Sequence, residues 1–116
     1  LTELTMPFPP SANAIWRNVN GRTLKSAAYR AWLAEALALL RAQRAPRLQG
    51  SYSLALVADR PDRRRRDLGN LLKATEDCLV QAGVIEDDHL AASIVLAWSD
   101  AAPKKPGAVR VTVVAA

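Results

Sequence analysis

The sequence predicts a small α+β fold: one domain over residues 1–116, with two helices on a mixed sheet in the order β-α-β-α-β-β. Three observations predict it. Two stretches repeat apolar residues at helical spacing, and four shorter ones alternate or run apolar over strand lengths. The last two of those strands flank a Pro- and Gly-rich turn, the pattern of a closing antiparallel hairpin. Half of the 116 residues are hydrophobic, enough to bury a core without disulfides or a structural metal.

Residues 1–6 read as a short strand, stopped by Pro7, Pro9 and Pro10, because proline lacks a backbone donor and restricts its predecessor. A polar loop with Asn13, Asn18, Asn20 and Gly21 then runs to about Lys25. A loop of that length in so small a domain is more often functional than idle. Ser26 is placed to cap a helix over residues 26–44, with Tyr29, Trp32, Leu33, Ala36, Leu37 and Leu40 on one face and Pro46 beyond its end. Residues 51–58 alternate as a strand that buries Tyr52, Leu54, Leu56 and Ala58. A charged loop, residues 60–67, leads to a second helix over 68–82. Its apolar face is Leu68, Leu71, Leu72, Thr75, Leu79 and Ala82, and Gly83 is its stop. Residues 84–89 form an acidic connection. Residues 92–98 and 108–114 are the final strands, joined through Pro103, Lys104, Lys105, Pro106 and Gly107.

Sixteen Lys and Arg against eleven Asp and Glu give a formal charge of +5, which suits a polyanionic partner such as nucleic acid. The one cysteine, Cys78, cannot form an internal disulfide and reads as a packing residue. No Cys/His set has zinc spacing. No apolar run is long enough to span a membrane and no secretory signal is evident, so a cytoplasmic setting without membrane partners is expected.

The chemistry concentrates in the run Asp62–Lys73, DRRRRDLGNLLK. Arg63, Arg64, Arg65 and Arg66 adjoin Asp67, which opens a helix, and Lys73 lies two turns along it. Cations beside a carboxylate at a helix start suit a phosphodiester next to a metal ion. Asp67 is equally suited to capping the helix, and one position serves both roles. Glu86, Asp87 and Asp88 form a second acidic group. In an extended segment Glu86 and Asp88 point one way and Asp87 the other. A Mg²⁺ site needs only one or two protein carboxylates, so Asp67 and Asp88 would suffice if the acidic segment ran back along the helix. His89 fits a proton shuttle or an exposed turn. Trp16, with Asn13 and Arg17 beside it, fits stacking on a base and contact with phosphate, or plugging the edge of the core. No P-loop, dinucleotide turn or nucleophilic Ser or Cys constellation is present.

The segments FPPSANAIWR, YRAWL and PDRRRRDLGNLLKATEDCLVQAGVIEDD resemble the RusA-type Holliday junction resolvases, the crossover junction endodeoxyribonucleases of bacteria and their prophages. The resemblance covers nearly the whole chain in order and length. It implies a small α+β homodimer that binds four-way junction DNA and makes paired symmetric cuts with Mg²⁺ or Mn²⁺ in recombination and repair. It assigns metal binding to three aspartates, two of which match Asp67 and Asp88. Lys73 matches a catalytic lysine, Asn70 the motif asparagine, and Arg66 the basic stretch that engages DNA. Gly69 stands where the motif has its second aspartate and offers no side-chain oxygen. Either Asp87 or Glu86 then makes up the ligand set, or the chain is a cleavage-deficient junction binder. Charge alone would also serve an RNA-binding protein.

Overall fold

A computed structural model describes residues 3–11 and 14–116. The strands are β1 (Glu3–Pro7), β2 (Trp16–Val19), β3 (Arg22–Lys25), β4 (Tyr52–Asp59), β5 (Ala91–Trp98) and β6 (Ala108–Ala115). The helices are α1 (Ala27–Ala42) and α2 (Leu72–Ala82). A four-stranded sheet runs in the order β1-β6-β4-β5, and β2 and β3 form a separate two-stranded ribbon. The α+β class and the mixed sheet with two helices are as the sequence predicts.

The closing hairpin is not formed. β5 pairs in parallel with β4 at the sheet edge, while β6 lies antiparallel between β4 and β1. The connection explains this. Residues 99–107 cross the end of β4 instead of turning back, held there by backbone bonds from Ser99 to Ala58 and from Lys104 to Arg60. Gly107, at φ +72°, packs so closely on this crossing that a Cβ would stand 2.8 Å from the Asp59 carbonyl oxygen. The predicted element order is corrected a second time inside the N-terminal loop, which contains the β2–β3 ribbon. Asn20 and Gly21 at its tip both take positive φ, the conformation of a tight hairpin turn. Leu1 and Thr2, which begin the first predicted strand, and Asn13 lie outside the described residues.

One face of the sheet carries the core. Leu54 and Leu56 of β4 sit opposite Val113 and Val111 of β6, and Val111 and Val109 in turn oppose Leu4 and Met6 of β1. All seven side chains are buried and join Tyr29, Trp32, Ala36 and Leu40 of α1 and Ala74, Cys78 and Leu79 of α2 in a single cluster. Ser26 caps α1 by accepting the Tyr29 amide at 3.1 Å, and the Trp32 indole donates to the Pro7 carbonyl at 2.9 Å, tying the helix to the end of β1. The second helix begins later than its apolar pattern suggests. Residues Leu68–Leu71 form a 3-10 turn capped by Asp67, α2 proper starts at Leu72, and Gly83 ends it at φ +80°. The acidic connection is only partly a surface turn: Val84 and Ile85 are buried in the core before the chain emerges at Glu86.

Candidate functional site

The arginine loop is held by its own charges and by two aromatic rings. The Asp62 carboxylate accepts the Arg64 amide at 3.0 Å and forms a two-pronged ion pair with Arg66, one arm of it at 3.1 Å. These bonds, Arg66 first, hold the Asp62 carboxyl well below the usual carboxylate range. Arg66 lies 5.3 Å over the Phe8 ring, Phe8 stacks on Trp98, and Arg60 lies 4.0 Å over the other ring of the pair. Cation–π contacts thus pin both ends of the loop. Arg60 and Arg66 are occupied in this way, whereas Arg63, Arg64 and Arg65 are exposed.

The loop walls a cavity of about 510 Å³ that Phe8, Pro9, Arg64, Arg65, Asp67 and Asn70 line. Asp67 accepts the Gly69 amide at 3.2 Å, so it fulfils the capping role and still borders the cavity. Gly69 does not take a left-handed φ, and a Cβ placed on it would meet only the Asp67 Oδ1, at 3.7 Å. The backbone here therefore accepts a β-carbon, in ordinary contact with the carboxylate of Asp67.

One helical turn further on, a second cavity of about 400 Å³ is lined by Lys73, Asp77, Asp87 and Asp88 together with Trp16, Lys25 and Tyr29. The acidic segment does run back along α2, and it brings Asp87 and Asp88 to Lys73. Asp67 and Asp88 line different cavities, which have no lining residue in common. Lys73 Nζ is 3.3 Å from Asp77, an exposed i,i+4 pair weak enough for a phosphate to displace. Asp87 accepts the His89 amide at 3.0 Å and pairs with the His89 ring at 2.8 Å, which lowers its pKa to about 2. His89 is an exposed turn residue held by this contact. Glu86 is committed elsewhere, accepting the Gly50 amide at 2.6 Å. Cys78 is buried with its thiol pushed up to about 12 by that burial, as befits packing.

The ribbon contributes Trp16 and Lys25 to the lining of this cavity. Trp16 is opposite Lys25, and Asn18 opposite Thr23 with a side-chain hydrogen bond of 3.1 Å, so these four share one face. Trp16 and Lys25 carry that face to the cavity. Trp16 is 49 % exposed, which rules out the core-plug role. Arg17 and Arg22 lie on the reverse face. The ribbon is anchored at its base, where Ser26 donates its amide to Ile15 and its hydroxyl to Ala14.

The comparisons with known proteins decide the family. The family model described as Endodeoxyribonuclease RusA matches residues 7–114. This chain belongs to the RusA endodeoxyribonuclease family. The crossover junction endodeoxyribonuclease RusA of Escherichia coli K12 is 38 % identical over 86 residues, 73 % of this chain and 72 % of that protein. The enzyme of that name from Enterobacteria phage HK97 is 33 % identical over 88 residues, 75 % and 73 % of the two chains, and that of phage 82 is 37 % identical over 86 residues, 73 % and 72 %. The chain shares its family with both bacterial and phage proteins.

Within this RusA-family chain, sequence reasoning missed one buried acidic residue. Glu76 accepts the Tyr52 hydroxyl at 2.8 Å behind the second cavity. Burial raises its pKa, the Tyr52 bond partly offsets that, and the nearby charge of Asp88 adds to the rise. Glu76 falls on the apolar side of α2, where a polar residue is itself the available signal. Asp77 was also legible, four residues beyond Lys73. Among the described residues no three His, Cys, Asp or Glu side chains gather into a metal-holding cluster. The adjacent carboxylates of Asp87 and Asp88 nevertheless fit the donor chemistry of a hard, largely hydrated cation, which takes one or two protein carboxylates. No helix is long and apolar enough to cross a membrane among the described residues.

Proposed function

We propose that this chain binds four-way DNA junctions as a homodimer and resolves them by paired symmetric cuts with Mg²⁺ or Mn²⁺. The observation that carries the reading is the convergence of Lys73, Asp87 and Asp88 on one cavity, next to an exposed arginine run, in a RusA-family chain. Arg63, Arg64 and Arg65 hold backbone phosphates; Asn13 and Arg17 belong to the same DNA-contacting set by sequence, Arg17 from the reverse face of the ribbon. Trp16 stacks on a base left unpaired near the branch point. Lys73 places its ammonium against the negative charge that grows on the scissile phosphate. Asp87 and Asp88 would hold the cation, while Asp67, which the family motif also assigns to the metal, lines the other cavity together with Asn70. A cation held there would supply Lewis-acid stabilisation of the phosphate and a more acidic water. A twofold-symmetric junction needs two such sites about a dyad, which is the reason for the dimer.

Gly69 favours a second reading, a junction binder that cuts slowly or not at all. Its backbone leaves room for a β-carbon, yet no carboxylate is there. Both readings require selective binding. The test is equilibrium binding of a labelled four-way junction and of a duplex with the same arm sequence, without divalent cation, over a salt series. A shape-selective binder keeps its preference for the junction as salt weakens both complexes. Equal affinities at every salt concentration, or a preference for single-stranded RNA, would remove both readings.

A further inference from the structure

A third cavity lies away from the acids and the arginine run. It has a volume of about 520 Å³ and sits between the C-terminal ends of α1 and α2, where Arg41, Arg44, Arg47 and Gln81 line it. We propose that it binds a phosphate of a junction arm, an inference that rests on the junction-binding reading above. No acidic residue lines the cavity, and none of the three arginines is ion-paired among the described residues. Three unpaired guanidiniums around one hollow make a positive site whose fork geometry matches phosphate oxygens.

The backbone is shaped to produce this hollow. Arg44 takes φ +55° just after the C-cap of α1. Glycine or asparagine ordinarily occupies that left-handed position, since a β-carbon disfavours it. Gly83 takes φ +80° at the end of α2, and the Arg47 guanidinium fills the space its side chain would need, with Nη1 2.9 Å from a Cβ placed there. The C-terminal end of α1 attracts a cation in its last turn, which accounts for Arg41 alone. It does not account for an arginine in the left-handed position or for one seated over Gly83.

The cavity also lies on a continuous path. Gln81 lines both this hollow and the cavity of Lys73 and Asp88. From Lys73 to Gln81 along α2 is about 12 Å at the helical rise, or three to four base-pair steps at about 3.4 Å each. A DNA arm leaving the acids along α2 therefore brings backbone phosphate to the three arginines.

The test uses Arg44→Gly and the double variant Arg41→Ala/Arg44→Gly. Glycine suits the left-handed φ, so the thermal stability of Arg44→Gly is expected to hold or rise while DNA binding falls, and a merely structural arginine would not give those opposite signs; the double variant is read for binding alone. Junction and duplex affinities are measured without divalent cation over a salt series. Each lost phosphate contact should flatten the log–log salt slope by about 0.9, equivalent to about eightfold in affinity at 0.1 M salt on extrapolation from 1 M. An unchanged slope and affinity on both DNAs would overturn the proposal. So would thermal stabilisation by inorganic phosphate that the variants lose while DNA binding stays intact, since the cavity would then serve a small anion. A wild type without junction preference is the separate failure of the functional reading, and the slope on plain duplex then still decides this cavity.

Discussion

Tyr52→Phe removes one oxygen from the wall behind Asp87 and Asp88, and its cost follows from the geometry. The Tyr52 hydroxyl donates to Glu76 at 2.8 Å, both residues are buried, and no other protein donor to Glu76 is found among the described residues. A hydrogen bond to a charged group contributes about 1.5–3 kcal/mol, and its loss leaves the carboxylate unsatisfied. In a domain of this size that corresponds to a fall of roughly 6–12 °C in Tm. Replacing both partners should cost much less, because apolar groups of similar shape leave nothing unsatisfied. The double variant Tyr52→Phe/Glu76→Leu is expected within about 1 kcal/mol of wild type, giving a coupling of at least about 1 kcal/mol. Urea denaturation of the four proteins at neutral pH measures this cycle. A Tyr52→Phe cost below about 0.5 kcal/mol, or additive single-variant costs, would refute the reasoning and leave the pair as mere proximity.

The remaining predictions address charge and contact at the site. Glu76 has a folded-state pKa above its usual 4.5, so the folded state binds the proton more tightly. Its stabilising contribution is complete below that usual value and is lost as pH rises through the folded value. Glu76→Gln should therefore gain stability relative to wild type across this rise, and parallel Tm profiles against pH for the two proteins would contradict it. Gly69→Asp should fold, since its Cβ meets only an ordinary contact with Asp67, and should raise the single-turnover cleavage rate tenfold or more, about 1.4 kcal/mol in barrier; an unchanged rate would show that position 69 is not the missing ligand. Asp62→Ala frees Arg64 and Arg66 from their clip and should weaken junction binding severalfold although it adds positive charge; tighter binding would show that charge outweighs loop order. Trp16→Ala should lower junction affinity by about tenfold, within the 1–3 kcal/mol of one base stack, and leave duplex affinity and Tm nearly unchanged; equal losses on both DNAs would argue against stacking.

Much of this was legible in the chain, and the residues show why. Ser26 and Gly83 mark helix ends because capping is local chemistry, readable over a few positions. The buried faces of β4 and β6 follow from alternation alone. The hairpin error arose because the turn residues 103–107 describe a bend but not its destination. That destination depends on contacts with Arg60 and Asp59, far away in the sequence. The ribbon was hidden because seven of its eight strand residues are exposed, so burial imposes no alternation on them. At the site, the motif marked Asp67, Asn70, Lys73 and Asp88, but Asn70 lies in a 3-10 turn ahead of the helix and Asp88 opens a second 3-10 turn, Asp88–Leu90, so that Asp87 and not Glu86 shares its cavity, where an extended connection was expected. It did not show that the 3-10 turn at Leu68–Leu71 sets Asp67 beside one cavity and Lys73 beside the next. Nor could charge alone show that Arg66 is held by Asp62 and Phe8 while Arg63, Arg64 and Arg65 face solvent.

The central claim is that acids and a lysine distant in sequence cooperate in cutting branched DNA. Its most direct test is to map the cuts on a four-way junction labelled on each strand in turn, with Mg²⁺, for wild type, Asp67→Asn, Asp88→Asn and Lys73→Ala, each carried also on the Gly69→Asp background. The account predicts cation-dependent cuts at symmetric positions on two opposing strands, stronger with aspartate at 69 and abolished by each of the three other changes. Cuts of equal strength in all variants, or none even with the restored aspartate, would contradict it.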